Sequence, residues 1–223
     1  MGSDWAAEFE RELARYADGE ARVGGIEDAD ERQRQLTRMG NAATGAGLAL
    51  VMDGRPGDAA EWFARAAERY RESFPHAPPG SWGRPIGAIK ARVLACDAAA
   101  AAEEAQWALA AGAAESESPI GRYAGCLALL VLGRDDEAAL LAGSMRGRDD
   151  FPSAVADTLH ALATRDRDGY ELAVGTVLTS FETRDEYLED IPVADTVIVL
   201  QTLARDRGLE VTLRSSLLPP ASR

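Results

Sequence analysis

Apolar residues recur along this chain at helical spacing, and the runs between them are closed by glycine, proline and aspartate,. From Asp4 to Tyr16 the apolar positions are Trp5, Phe9, Leu13 and Tyr16, with Asp4 placed as an N-cap and Gly24-Gly25 as the end of the unit,. A long helix is expected from about Asp28 to Met52, and Gly54-Arg55-Pro56-Gly57 breaks it. Asp58 then stands as the cap of a second helix through Phe74, whose stripe is Trp62, Phe63, Ala66 and Tyr70. At the far end Ile191-Pro192 reads as the start of a last helix through Val193, Val197, Leu200 and Leu203, and Gly208 stops it. Arg205 and Arg207 lie in its final turn, where positive charge suits the helix dipole,. Leu209 to Leu218 is apolar enough to fold back on the bundle before Pro219-Pro220.

Around Gly54 the pattern becomes a repeat. Gly47 falls seven residues before it, and Ala59, Phe63 and Ala66 fall five, nine and twelve after it. The same offsets around Cys96 give Ile89, Ala101, Ala105 and Ala108. Around Gly133 they give Cys126, Ala138, Ala142 and Met145, and around Arg165 they give Thr158, Tyr170, Val174 and Val177. Two antiparallel helices in close contact need small or fitted residues at such fixed distances from their turn. The unit around Gly54, with Gly47, Ala59, Phe63 and Ala66, resembles the tetratricopeptide repeat, and the match decays along the chain. The resemblance implies peptide or protein binding in a concave groove. The expected architecture is all-α: one domain over residues 1–223, with nine or ten helices in tetratricopeptide-like hairpins. Residues 1–25 would form an N-terminal cap, 28–183 the hairpins, and 192–218 a C-terminal capping helix and tail, since a stack must close its apolar ends.

Composition agrees. Hydrophobic residues make up 46% and aromatics 6%, so the apolar material is chiefly alanine, leucine and valine. That favours close helix packing over sheets. Cys96 and Cys126 form neither a C-x-x-C pair nor a disulfide framework, and both are expected to be buried thiols,. Residues 1–20 carry several carboxylates and no apolar run, and Cys126 to Leu132 is far shorter than the ~20 residues a membrane helix needs,. A cytoplasmic protein is therefore expected, with no membrane partner.

The net charge of −13 arises from 37 acidic against 24 basic residues, of which Lys90 alone is lysine. Such acid-rich, lysine-poor chains resemble proteins adapted to a salt-filled halophilic cytoplasm. The charge then reflects solvent, because screening near 1 M salt falls to roughly 3 Å and long-range steering is lost. Nucleic acid is not expected as a partner, since phosphate binding needs a concentrated basic face.

One segment stands out. Phe74-Pro75-His76-Ala77-Pro78-Pro79-Gly80-Ser81-Trp82-Gly83-Arg84-Pro85 should hold a fixed, irregular shape,. It carries His76, Trp82 and Arg84, residue types that supply binding energy at interfaces,. The alternative is that Trp82 plugs a gap between hairpins while the prolines set a crossing angle. Two acidic connections, Glu115 to Pro119 and Arg184 to Asp190, are expected on the same edge, which would add Arg122, Tyr123 and Tyr187 to the partner-binding candidates. Solvated turns are the plainer reading of both. No catalytic or metal site is expected: His76 and His160 lack ligand spacing, and His160, between Leu159 and Leu162, fits a satisfied, partly buried histidine,. The glycines near Gly54 lack the Lys-Ser/Thr pair of a phosphate loop,. No cofactor is expected.

The segment from Ile191-Pro192-Val193-Ala194-Asp195 through Leu200 to Gly208, and on to Ser216-Leu217-Leu218-Pro219, resembles the end of the bacterial immunity protein 49 family, and Ala88 to Asp97 has a similar look. That resemblance implies a protein that neutralises a toxin by binding it, without chemistry. The expected function is thus a non-catalytic protein-interaction module. Toxin neutralisation is an alternative, and a small-molecule or hydrolytic site on the proline-rich loop is a further one.

Overall fold

In the computed structural model, which describes residues 4–220, four turns share one backbone. Gly54, Cys96, Gly133 and Arg165 all sit in the left-handed region, with φ of 77°, 55°, 68° and 57°. Each residue's N–H bonds back to the carbonyl three residues before it: Val51, Val93, Leu130 and Leu162. The residue after each turn donates to the carbonyl five before it: Arg55 to Leu50, Asp97 to Arg92, Arg134 to Leu129 and Asp166 to Ala161. These paired bonds satisfy carbonyls that a helix end leaves open, and they stop the helix at once. The next helix begins directly behind, so each turn makes a tight antiparallel hairpin.

Ten α-helices result among the described residues, with no strand: α1 (Trp5–Val23), α2 (Ala29–Met52), α3 (Pro56–Ser73), α4 (Gly83–Leu94), α5 (Ala98–Ala110), α6 (Pro119–Val131), α7 (Asp135–Gly143), α8 (Ser153–Thr164), α9 (Arg167–Glu182) and α10 (Asp195–Arg205). The four hairpins are α2–α3, α4–α5, α6–α7 and α8–α9. None of the helices is long and apolar enough to cross a membrane. Residues 1–3 and 221–223, the ends of the expected 1–223 span, lie outside the described residues.

The recurrent offsets mark the helix contacts. A Cβ added to Gly47 would lie 2.6 Å from the Phe63 ring, so the glycine lets α2 press directly on α3. Ala59, Phe63 and Ala66, and all the equivalents around the other three turns, are buried. Asp28, Asp97 and Asp166 cap α2, α5 and α9 by accepting from the backbone three residues on,. Asp58 is not a cap. Helix α3 starts at Pro56, a position where a missing N–H costs nothing, and Asp58 accepts from Arg55 Nε instead,.

Consecutive helices pack on one another, and α4 and α6 also touch across the stack, as do α6 and α8, and α2 and α4. The odd-numbered helices from α3 to α9 make no comparable contacts among themselves, so the even row lies on the inner side of the curve. Helix α10 is not an end cap. It packs chiefly on α4 and also on α8 and α9, placing it along that inner row. It also starts later than the sequence suggests. The N–H of Val193 bonds to Ile191 O and that of Ala194 to Leu217 O, so this stretch is tied to the returning tail. Ile191 and Val193 join the core of α1–α3, whereas Val197, Leu200 and Leu203 join the core of the later hairpins. Leu209, Val211 and Leu217 of the tail are buried, as the fold-back reading requires.

Candidate functional site

A cleft of about 280 Å³ remains open where α10 begins, between α2 and α4. Its construction starts with Tyr70 of α3. Glycines on two helices make room for the ring: a Cβ at Gly40 would lie 2.8 Å from one edge, and a Cβ at Gly87 would lie 2.7 Å from the other. The Tyr70 hydroxyl donates to Asn41 Oδ1 at 2.9 Å and lies 3.2 Å from Thr44 Oγ1. Burial pushes its pKa well above the usual tyrosine value,. Asn41 in turn donates to Glu189 Oε1 at 2.9 Å, and the Glu189 carboxylate also pairs with Arg15. Arg15 pairs with the fully buried Glu12, which completes a chain of contacts from α1 to the α9–α10 connection. Tyr70, Asn41 and Thr44 therefore form a fixed neutral wall.

Charge sits on the α4 side. Lys90 is an ion-pair partner of Asp195 at 2.5 Å and donates to Thr196 Oγ1 at 3.0 Å, both at the start of α10. The two charged side chains are only 14% and 15% exposed. Burial works against the ammonium, but the Asp195 carboxylate, through its charge and its hydrogen bond, together with Tyr123 outweighs it, so the Lys90 pKa lies above its ordinary value,. Tyr123 is buried near this pair, and burial raises its pKa while the Lys90 charge opposes the rise. Among the described residues its hydroxyl has no hydrogen-bond partner.

The three candidates of the proline-rich segment do not converge. Phe74–His76 is a single 3₁₀ turn, and exposed His76 lines a separate hollow together with Gly24, Ile26 and Arg32. Trp82 turns the other way. It packs with Phe74 at 6.3 Å and against α6, where a Cβ on Gly121 would lie 2.7 Å from its Nε1. That is the gap-filling role. Helix α4 already begins at Gly83, so Arg84 belongs to a helix and lines the cleft.

The expected rim also divides. Arg122 Nε donates to Ser116 O at 2.9 Å and braces its own connection. Tyr123 is interior, not rim, because it lies on the face of α6 that meets Lys90 and the Phe151 ring. The Tyr187 hydroxyl donates to Phe181 O at 2.7 Å, closing the α9–α10 connection on itself. Cys96 is exposed, correcting the expectation of a buried thiol, because it occupies the turn position; Cys126 is buried. His160 is partly buried with Nδ1 3.2 Å from Ala139 O. Among the described residues no three His, Cys, Asp or Glu side chains gather to hold a metal ion.

Lys90, Asp195 and the glycine-gripped Tyr70 were not singled out from sequence as site residues. A signal for the first was present: one lysine in an arginine-rich chain, placed beside the recurrent position Ile89. No family model, curated protein or solved structure matches this chain.

Proposed function

We propose that this protein is a non-catalytic interaction module, tetratricopeptide-like in construction, that holds a protein or peptide segment in the cleft between α2 and α4. The observation that carries the reading is the cleft itself. It has apolar surface from Ile86 and Leu94, hydrogen-bonding groups from Asn41 and Arg84, and walls locked by the Tyr70 contacts. A rigid, mixed apolar and polar groove suits a side chain or two of a bound segment, because little ordering is required of the host. Helix α10 fills the inner row beyond it, which leaves this end as the accessible part. The acid-rich, lysine-poor composition supports work in a cytoplasm of high salt, where apolar contact and short-range pairing supply the affinity,.

A photo-crosslinking amino acid at half-buried Thr37 on the cleft rim, compared with one at exposed Leu172 on α9, tests the site in multimolar salt. The expected result is one identified protein crosslinked from position 37 and not from 172, and displaced by no excess of a Thr37→Trp variant whose indole blocks the cleft. Equal crosslinking from both positions, or undiminished competition by Thr37→Trp, overturns the assignment.

A further inference from the structure

Arg84 is the group of the cleft that its own fold leaves short of a partner. Its Nε donates to Ser73 Oγ at 3.1 Å and its Nη2 to Gln33 Oε1, while Nη1 makes no hydrogen bond among the described residues. Both acceptors are neutral. Gln33 passes the contact on to Asp30 through its own Nε2, but Asp30 is already paired with Arg34. No described carboxylate lies within ion-pair distance of Arg84, although acidic residues outnumber basic ones in the chain by 37 to 24. Its neighbours differ. Arg32 and Arg69 pair with Glu72, Arg71 with Glu104, and Lys90, the second cation of the cleft, is neutralised by Asp195.

Burial therefore acts on Arg84 unopposed, and its pKa lies below the ordinary arginine value,. It stays a cation nonetheless, since guanidinium does not deprotonate in proteins near neutral pH. A half-buried positive charge with free N–H donors is matched by one incoming negative charge, and a planar two-oxygen acceptor fits the fork best. A phosphate dianion would need a second free cation, and Lys90 is committed to Asp195. A different cleft of similar volume, between Cys96 and α10, is lined by two other cations, and both have carboxylates beside them: Arg205 is bound to Glu210, and Arg92 lies 4.0 Å from Glu68 and near Glu104.

Building on the interaction reading above, we propose that Arg84 receives a carboxylate, and that the bound segment presents an internal Asp or Glu side chain to it with an aliphatic neighbour on Ile86 and Leu94. The acid supplies the register and the aliphatic residue supplies the burial. Lys90 and Tyr70 serve as walls, not as contacts to the carboxylate.

A displayed library of random twelve-residue peptides, amidated at the C-terminus, tests this on the full chain. Selection runs on the wild type with counter-selection on Thr37→Trp. Enrichment of Asp or Glu beside Leu, Ile or Val is expected, with the chosen peptides binding about ten- to a hundred-fold more weakly to Arg84→Gln. Arg84→Lys keeps the charge and should retain part of the acid preference; melting curves identify any variant that fails to fold. Cleft-binding peptides without an acid preference, or with one that persists in Arg84→Gln, overturn the carboxylate assignment and leave the interaction reading intact. No enrichment over Thr37→Trp removes the interaction reading itself. Free glutarate that saturates the cleft as tightly as the selected peptides would make Arg84 an anchor for a small acid, and would overturn the peptide assignment.

Discussion

Glycine and non-glycine residues share one backbone conformation at the four hairpin turns, so exchanging them should move stability in opposite directions. A left-handed backbone costs a residue with a Cβ about 1–2 kcal/mol. Glycine gives back about 0.5–1 kcal/mol of that through the larger freedom it loses on folding. Cys96→Gly and Arg165→Gly should each therefore stabilise the protein by about 0.5–1 kcal/mol, and Gly54→Ala and Gly133→Ala should each destabilise it by a similar amount. Side chains contribute little to the balance. A Cβ at Gly54 or Gly133 meets nothing within 4 Å, so no clash is added. Arg165 gives up an ion pair to Asp135 at 3.3 Å, but its side chain is 67% exposed and such pairs are worth roughly 0–1 kcal/mol,. The glycine gain at 165 should accordingly fall below that at 96. For a chain of this size these energies correspond to melting shifts of about 1–4 °C. Thermal and urea unfolding of the four variants at one salt concentration would measure them, and an unchanged urea slope would show that only stability moved. Shifts of one sign for all four variants, or a loss of stability in Cys96→Gly, would refute the shared left-handed turn.

Three further outcomes are expected. Lys90→Ala leaves Asp195 in a largely buried position without its cation and should cost about 3 kcal/mol or more, whereas Lys90→Met combined with Asp195→Leu should recover most of that in urea unfolding,. Glu104 is held above the ordinary carboxylate pKa by burial, with Arg71 opposing. Its protonated form is thus favoured by folding, and the wild type should lose stability relative to Glu104→Gln as pH rises above about 4.5 through the folded value,; parallel melting-versus-pH profiles would contradict this. Of the two thiols, exposed Cys96 should react at once with an aromatic disulfide reagent. Cys126, with its thiol pKa pushed up to about 12 by burial, should react only after unfolding, and two fast thiols would disprove the packing around α6,.

Much of the fold was legible because its deciding signals are local. The turn residues Gly54, Cys96, Gly133 and Arg165 could be placed from fixed offsets to buried positions, since hairpin contacts recur at set distances from the bond pattern that ends a helix,. The offsets also held where the turn residue was not glycine, since the paired backbone bonds define the turn and a Cβ only adds cost. Cys96 shows the limit. A cysteine suggests a core thiol by type, yet its position beside the hairpin offsets fixes it in a turn, and position prevails. What periodicity could not give was the partner of an apolar face. The stripe Val197, Leu200 and Leu203 announces that α10 is buried, but not that it lies along α4, α8 and α9 instead of closing the end of the stack.

That placement governs which part of the site was readable. Arg84 was visible as a binding residue by type, but it was grouped with His76 and Trp82 because the three are close in sequence, and a helix starting at Gly83 separates them. The cleft that Arg84 lines exists because α10 begins at Asp195 and stops short of α2, with Lys90 fixing the stopping point through Asp195. A partner has no need to dislodge α10. Val197, Val199, Leu200 and Leu203 are all buried, and exposing several such side chains at about 1.5–3 kcal/mol each would outweigh what one peptide segment gains,. The same anchor that closes most of the inner row therefore keeps its first part open, and the Lys90–Asp195 pair sets the boundary between the two.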